Sequence, residues 1–129
     1  MGLRAQESSS RAKKEAFKQS IGNTNSRRTW YEWLPIHDLS TAEVFEWITI
    51  NNQEPHWVYA VGMTRKSCCF CIMASEPDLY TASKLKPELF QKYNQLEQQT
   101  GQTMMMPSKS KGRRYLDQIV ADYEKKIAA

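Results

Sequence analysis

The chain has 129 residues, a formal net charge of +4 and three cysteines, all between residues 68 and 71. An odd number of clustered cysteines does not form the disulfide framework of a secreted protein, so we expect a cytoplasmic location. No apolar run approaches the roughly 20 residues that a membrane span needs, and the N-terminus lacks the apolar stretch of a signal peptide. The length predicts one domain, residues 1–129, with a sizeable core.

The first third of the chain is weakly patterned. Serines 8 to 10 offer an N-cap, so we expect a helix from Arg11 to Gln19, although its apolar face is poor. A loop follows, and residues 27–36 alternate loosely between apolar and polar residues, which favours a short strand ended by Pro35. Aromatic residues at such alternating positions are more often core, but basic neighbours would also let them stack on bases. These aromatic residues are Trp30, Tyr31 and Trp33, beside Arg27 and Arg28.

The rest of the chain predicts helices. Ser40 and Glu43 have the spacing of a capping box, in which each side chain accepts a hydrogen bond from the other residue's backbone N–H. That helix should end near Asn51. A second capping box, at Ser75 and Asp78, predicts the start of another helix. A further helix should begin at Pro87 and end at Gly101, and the last helix should begin at about Tyr115. The sequence therefore predicts a mainly α fold with one or two short strands.

The cysteine segment has two interpretations. Cys68 and Cys71 have a spacing that lets two thiolates bind one ion, and His56 and Cys69 are the only other soft ligands nearby. Free cysteine is also among the most buried residue types, and the segment reads as a short apolar run. We expect three reduced cysteines and no cofactor in the monomer. The alternative is a bound ion, with zinc ahead of an iron–sulfur cluster.

Two polar patterns complete the set of candidates. The basic loop, defined as residues 107–114, is expected to be mobile and to be the chain's main polyanion contact, for example with nucleic acid. Its cations are Lys109, Lys111, Arg113 and Arg114. His37 precedes Asp38, which would suit an oriented base, but sequence neighbours seldom pair in this way, so we expect a simple turn.

Three segments in register resemble the phosphoadenosine phosphosulfate reductase family of adenine-nucleotide alpha-hydrolase-like proteins. They are Gly2-Leu3-Arg4-Ala5-Gln6-Glu7-Ser8 with Arg11, Trp33–Ile36 leading into Leu39–Phe45, and Tyr59-x-x-Gly62-x-x-Arg65 followed by Cys68-x-x-Cys71. The resemblance implies an α/β nucleotide-binding core followed by a helical, cysteine-bearing part. It also implies sulfonucleotide or ATP-dependent sulfur-transfer chemistry, with an iron–sulfur cluster in some branches. By their family positions, Arg4 and Arg11 would bind a nucleotide phosphate, but we favour a local surface pair of Arg4 with Glu7 and a solvated Arg11. Arg65 and Lys66, beside Cys68, would bind an anion or stabilise a nearby thiolate, and the alternative is a solvated turn.

The chain departs from the family at the phosphate loop. No Ser-Gly-Gly-Lys-Asp-Ser segment is present, and none of the five glycines forms a phosphate-cradling cluster. We therefore expect only the helical C-terminal part of the family's fold. Residues 1–36 would be a remnant of the nucleotide core's edge, residues 37–106 the helical cysteine-bearing region, and residues 107–129 the basic loop and a last helix.

Two functions follow from the resemblance. The first is a domain of sulfur metabolism that is incomplete and inactive as the isolated chain, partnered by a missing nucleotide-binding half. The second is an enzyme-fold remnant that acts as a binding or inhibitor protein, of a phage or mobile-element type, against a protein or nucleoprotein complex. A homodimer and nucleic acid are further expected partners, and the sequence names no substrate.

Overall fold

The computed structural model describes all 129 residues and is mainly helical, as predicted, with one two-stranded antiparallel sheet. Two short 3-10 turns cover Ala5–Glu7 and Ile21–Asn23. The helices are α1 (Ser9–Ala12), α2 (Thr41–Ile50), α3 (Glu76–Leu85), α4 (Pro87–Thr100) and α5 (Leu116–Ala128), and the strands are β1 (Phe17–Gln19) and β2 (Tyr31–Trp33). None of the helices combines the length and the apolar character that crossing a membrane requires.

The chain divides into two compact units, Met1–Pro55 and His56–Ala129. The first unit contains α1, the β1–β2 hairpin and α2. The second contains the cysteine segment and the helices α3, α4 and α5. The single domain with three regions that the sequence suggests stays a prediction.

The helix predicted from Arg11 to Gln19 is wrong. Helix α1 is a single turn that ends at Ala12, and the chain then becomes strand β1. Strand β1 pairs antiparallel with β2, so that Phe17 lies opposite Trp33 and Gln19 opposite Tyr31. Too few apolar residues occur at helical spacing to hold a longer helix, and the backbone pairing with β2 prevails over local helix propensity.

Helix α2 begins and ends where the sequence predicts. The Ser40 side chain accepts a hydrogen bond from the Glu43 N–H at 3.2 Å, and the Glu43 carboxylate accepts one from the Ser40 N–H at 2.7 Å. These contacts lower the pKa of Glu43. The helix ends at its C-cap, Asn51. The capping box therefore fixes the register of α2.

The core of the second unit lies between α3 and α5. Leu79 and Leu116 are fully buried, and Ala82 and Ile119 pack with them. Phe70, from the cysteine segment, is buried in the same cluster. Burying a side chain of this size stabilises the fold by about 1.5–3 kcal/mol, so Phe70 anchors the cysteine segment to the core.

Helix α4 follows its predicted bounds and ends at Gly101, which has a left-handed φ of 62°. The sequence also predicts that Leu89, Phe90, Tyr93 and Leu96 face inward from this helix, which is only partly right. Phe90 packs against the core cluster, whereas Leu96 is exposed and its neighbour Glu97 is buried. The Glu97 carboxylate accepts hydrogen bonds at 2.7 Å from the backbone N–H groups of Met104 and Leu116. A buried carboxylate thus joins α4 to the start of α5.

Candidate functional site

The cysteine segment is held to α3 by a buried carboxylate. Asp78 is 1% exposed, and its two oxygens accept hydrogen bonds from the Thr64 N–H and the Thr64 hydroxyl, both at 2.7 Å. The Asp78 N–H is bound by the Ser75 hydroxyl, which caps α3. The predicted capping box at Ser75 is therefore only half formed, because the Asp78 side chain is directed to Thr64 instead. This Thr64–Asp78 clamp fixes the backbone immediately before Arg65.

Arg65 lies next to the last cysteine. Its Nη2 is 4.0 Å from the Cys71 Sγ, within hydrogen-bonding distance for sulfur. The Met73 N–H also points at this sulfur, at 3.4 Å. Cys71 is partly buried, while Arg65 is exposed. The structure thus places the Arg65 guanidinium beside the Cys71 thiol, and the guanidinium stays accessible to a ligand.

Cys68 and Cys69 have different surroundings. Cys68 is exposed. Cys69 packs against the core and lines a cleft of about 220 Å³ whose walls include Trp57 and whose rim includes Lys66 and Lys86. Burial raises the pKa of the Cys69 thiol, and the positive charge of Lys86 offsets this only in part. Cys69 therefore stays protonated at neutral pH, as a small core side chain.

The predicted metal ligands do not form a set. No group of three or more His, Cys, Asp or Glu side chains lies close enough together to hold an ion. The Cys71 sulfur faces Arg65, Cys69 faces the core, and the His56 Nδ1 accepts a hydrogen bond from the Val58 N–H at 3.3 Å. A closed zinc site needs four ligands, so this arrangement does not fit a resident metal or cluster. The expectation of no cofactor in the monomer and its zinc or iron–sulfur alternative both stay predictions.

In the first unit, Glu7 holds both predicted anion-binding arginines. Its carboxylate lies 3.6 Å from the Arg4 Nε and is also paired with the Arg11 guanidinium. Burial acts to raise the pKa of Glu7, but the Arg4 N–H and the Arg11 guanidinium outweigh it and leave that pKa lowered. Arg4 also donates to the Thr41 hydroxyl at 3.0 Å. An anion binding to Arg4 or Arg11 would have to displace Glu7.

His37 is buried and hydrogen-bonded on both sides, and it pairs with Asp38, which the sequence analysis considered but did not expect. Its Nε2 is 3.1 Å from the Arg11 carbonyl oxygen, and its Nδ1 is 2.9 Å from the Asp38 carboxylate. Both partners are acceptors, so the imidazolium can donate to both at once. The contact with the Arg11 carbonyl, followed by that with Asp38, raises the pKa of His37 above its ordinary value. His37 thereby joins the Gly2–Arg11 segment to the turn before α2.

The cations of the basic loop are mostly paired. Glu76 binds the Arg114 guanidinium and, at 2.9 Å, the Lys111 ammonium, and these two contacts lower its pKa. Arg114 also binds Asp122 at 3.1 Å, and Arg113 donates to Gln102. Of the four predicted polyanion contacts, only Lys109 has a side chain without a hydrogen bond or ion pair.

Sequence reasoning missed Thr64 and the long-range role of Asp78. Asp78 had a local explanation as a cap partner, and nothing in the spacing of 14 residues between it and Thr64 indicates a contact. Arg4 and Arg11 lie in the first unit, and Arg65 and Lys66 in the second. Each predicted anion-binding pair therefore lies within a single unit.

Comparison with protein families matches the phosphoadenosine phosphosulfate reductase domain to residues 1–74. Comparison with curated proteins gave no match, and neither did comparison with solved structures. The matched residues include the Gly2–Arg11 segment, the capped helix α2, Arg65 and all three cysteines. Because the match covers more than half of the chain, the chain belongs to the phosphoadenosine phosphosulfate reductase domain family.

Proposed function

We propose that this chain supplies the cysteine-bearing, anion-binding part of a sulfur-transfer site of the sulfonucleotide or ATP-dependent type. The observation that carries the proposal is the contact between the Arg65 guanidinium and the Cys71 sulfur. The nucleophilic form of cysteine is the thiolate, an anion with which a neighbouring guanidinium can pair. The same guanidinium can hold an oxygen of a sulfate or phosphate group.

The Thr64–Asp78 clamp supports this proposal because it fixes the backbone next to Arg65. A flexible arginine on a free loop would sample many rotamers. Here the residue before Arg65 is bound through both its N–H and its hydroxyl to a fully buried carboxylate. Phe70, the residue before Cys71, is buried in the core. Both members of the pair therefore follow immediately after an anchored residue, which is what a preorganised site requires.

The proposed function is partial, in that the chain does not turn over alone. Backbone N–H groups of a glycine-rich turn are the usual grip on a pyrophosphate, and this chain has no such cluster. A nucleotide-binding partner would supply it. In a steady-state assay with phosphoadenosine phosphosulfate and a thioredoxin-type reductant, we expect no sulfite release from the isolated chain. Turnover that is abolished by an Arg65 or Arg4 variant would contradict this expectation.

The role of Arg65 is tested by thiol reactivity. In a Cys68→Ser, Cys69→Ala background, Cys71 is the only thiol, and its alkylation by iodoacetamide at pH 7 can be timed by intact mass. An exposed charge contact is worth about 0.2–1 kcal/mol, so Arg65→Gln should slow alkylation by about 1.4- to fivefold. Lys66→Gln is the matched control, because it removes a neighbouring cation whose ammonium makes no contact with Cys71. Equal rates in both variants would refute the proposal.

The alternative is a binding or inhibitor protein, and one observation favours it. The hairpin of the first unit exposes three aromatic side chains, an uncommon feature unless another molecule covers them. The two functions differ in what binding depends on. A binding protein would form a stable complex or dimer through the hairpin and would be indifferent to Arg65→Gln. Analytical ultracentrifugation of the wild-type chain, of Arg65→Gln and of Trp33→Leu in the hairpin separates the two functions.

A further inference from the structure

The aromatic face is a surface of the hairpin formed by Phe17, Tyr31 and Trp33. Phe17 and Trp33 are directly opposite in the antiparallel register, and Tyr31 is two residues from Trp33 on the same strand. Side chains alternate between the two faces of a strand, so all three lie on one face. They are 60%, 55% and 64% exposed. Sequence reasoning favoured a core role for Tyr31 and Trp33, and the structure places them in solvent.

Two of these rings stack on each other. The Phe17 and Tyr31 rings are 5.2 Å apart between centroids and only 10° from parallel. Each ring therefore covers one face of the other, but both side chains are more than half exposed, and bases of a single strand stack on exposed aromatic rings. Nearby, the Arg28 guanidinium lies 5.5 Å from the centroid of Trp30, which is itself exposed.

Charge distinguishes this region from the rest of the chain. Residues 11–33 contain six basic and two acidic residues, a net charge of +4, which equals that of the whole chain. The remaining residues are therefore neutral in sum. The side chains of Lys13, Lys14 and Arg27 make no ion pair, and they remain available to phosphates. In the basic loop, by contrast, Lys111 and Arg114 are neutralised by Glu76 and Asp122.

From these observations we propose that the aromatic face and its basic surroundings bind single-stranded nucleic acid. Bases stack on Phe17, Tyr31 and Trp33, while Lys13, Lys14 and Arg27 contact the backbone phosphates. This surface lies within the first unit, and the Arg65–Cys71 site lies within the second. Unpaired cations favour a polyanion over a protein partner, because a protein interface of this charge would need a strongly acidic complement. The basic loop is the competing surface.

The test is fluorescence anisotropy of a labelled oligodeoxythymidine of about 12 nucleotides, a length within the range that single-strand-binding folds occupy. Titrations at about 50 mM salt should show saturable binding of the single strand. A duplex of equal length should bind more weakly, because its bases are not free to stack on the aromatic side chains. Tyr31→Leu and Trp33→Leu keep apolar bulk and remove the π face. Each should weaken binding by about 5- to 100-fold. Trp47→Leu, at an exposed aromatic residue of α2, is the matched control and should bind as wild type.

The electrostatic part is tested by matched charge variants. Removing one cation that neutralises a phosphate should reduce the slope of log Kd against log salt by roughly 0.7 for a single strand. Lys13→Gln with Arg27→Gln should therefore flatten the slope by about 1.4, and Lys109→Gln with Lys111→Gln should leave it unchanged. The opposite pattern would assign binding to the basic loop and overturn the proposal.

Three further results would also overturn it. They are no saturable binding at low salt, equal affinity for single strand and duplex, and unchanged affinity in both aromatic variants. Sedimentation of the free chain tests whether the aromatic face instead forms a homodimer. A dimer that dissociates in Trp33→Leu would make the aromatic face an interface between two copies of this chain rather than a nucleic-acid surface. Circular dichroism of each variant confirms that weaker binding does not come from unfolding.

Discussion

Asp78 should be the most stability-sensitive carboxylate of the second unit. Replacing it with alanine removes the carboxylate that accepts hydrogen bonds from the Thr64 N–H and hydroxyl. A hydrogen bond to a charged group is worth about 1.5–3 kcal/mol, so Asp78→Ala should lose about 3–5 kcal/mol of unfolding free energy. That is a large share of the 5–15 kcal/mol typical of a domain. Asp78→Asn should lose only about 1 kcal/mol, because the amide oxygen still accepts from the N–H and the Thr64 hydroxyl can accept from the amide.

Urea unfolding followed by circular dichroism measures both variants, and hydrogen exchange at the Thr64 amide reports the clamp locally. Asp122→Ala is the control, because it removes an exposed partner of Arg114 and should cost at most about 1 kcal/mol. A cycle with Thr64→Val should give a coupling energy of about 1–2 kcal/mol. The reasoning is refuted if Asp78→Ala costs no more than the control, or if Thr64 exchange does not accelerate.

Two other predictions follow from buried polar groups. Glu97→Gln should lower the unfolding free energy by about 1–3 kcal/mol, because the glutamine side chain can accept a hydrogen bond from only one of the two N–H groups that Glu97 binds. The control is Gln98→Ala, at an exposed residue of the same helix, which should change the unfolding free energy by less than about 0.5 kcal/mol. The raised pKa of His37 means that its contribution to stability is fully present below its unfolded value of about 6.5 and is lost as pH rises through the folded pKa. Chemical unfolding measured from about pH 6 upward should therefore show a fall in stability that His37→Gln removes, and an unchanged fall in that variant would rule out His37 as the cause.

Local signals made much of the fold predictable. The capping box at Ser40, the start at Pro87 and the left-handed stop at Gly101 each depend on residues within one turn of a helix end. Contacts between residues within one helical turn can be predicted from their spacing in the sequence. The failed helix from Arg11 to Gln19 shows the converse case. Strand β1 exists because it pairs with β2, a partner at least twelve residues away in the chain.

The candidate site was predictable only in its members. The resemblance to the family identified Arg65 and the cysteines, but their contact depends on a clamp between Thr64 and Asp78 that no periodicity reveals. The exposure of Trp33 was also missed, because alternating aromatic residues have the same pattern in a core strand and in a binding face. Sequence patterns fix which face a side chain takes, and packing decides whether that face is covered.

The central claim, that Cys71 and Arg65 form one anion-binding thiol site, is tested most directly by ligand protection. The rate of Cys71 alkylation is measured at increasing concentrations of phosphoadenosine phosphosulfate in two proteins. They are the single-thiol variant with Arg65 intact and the same variant carrying Arg65→Gln. We expect the nucleotide to slow alkylation in a saturable manner when Arg65 is present, and to have no such effect in Arg65→Gln. Alkylation that is indifferent to the nucleotide, or protection that is equal with and without Arg65, would contradict the claim.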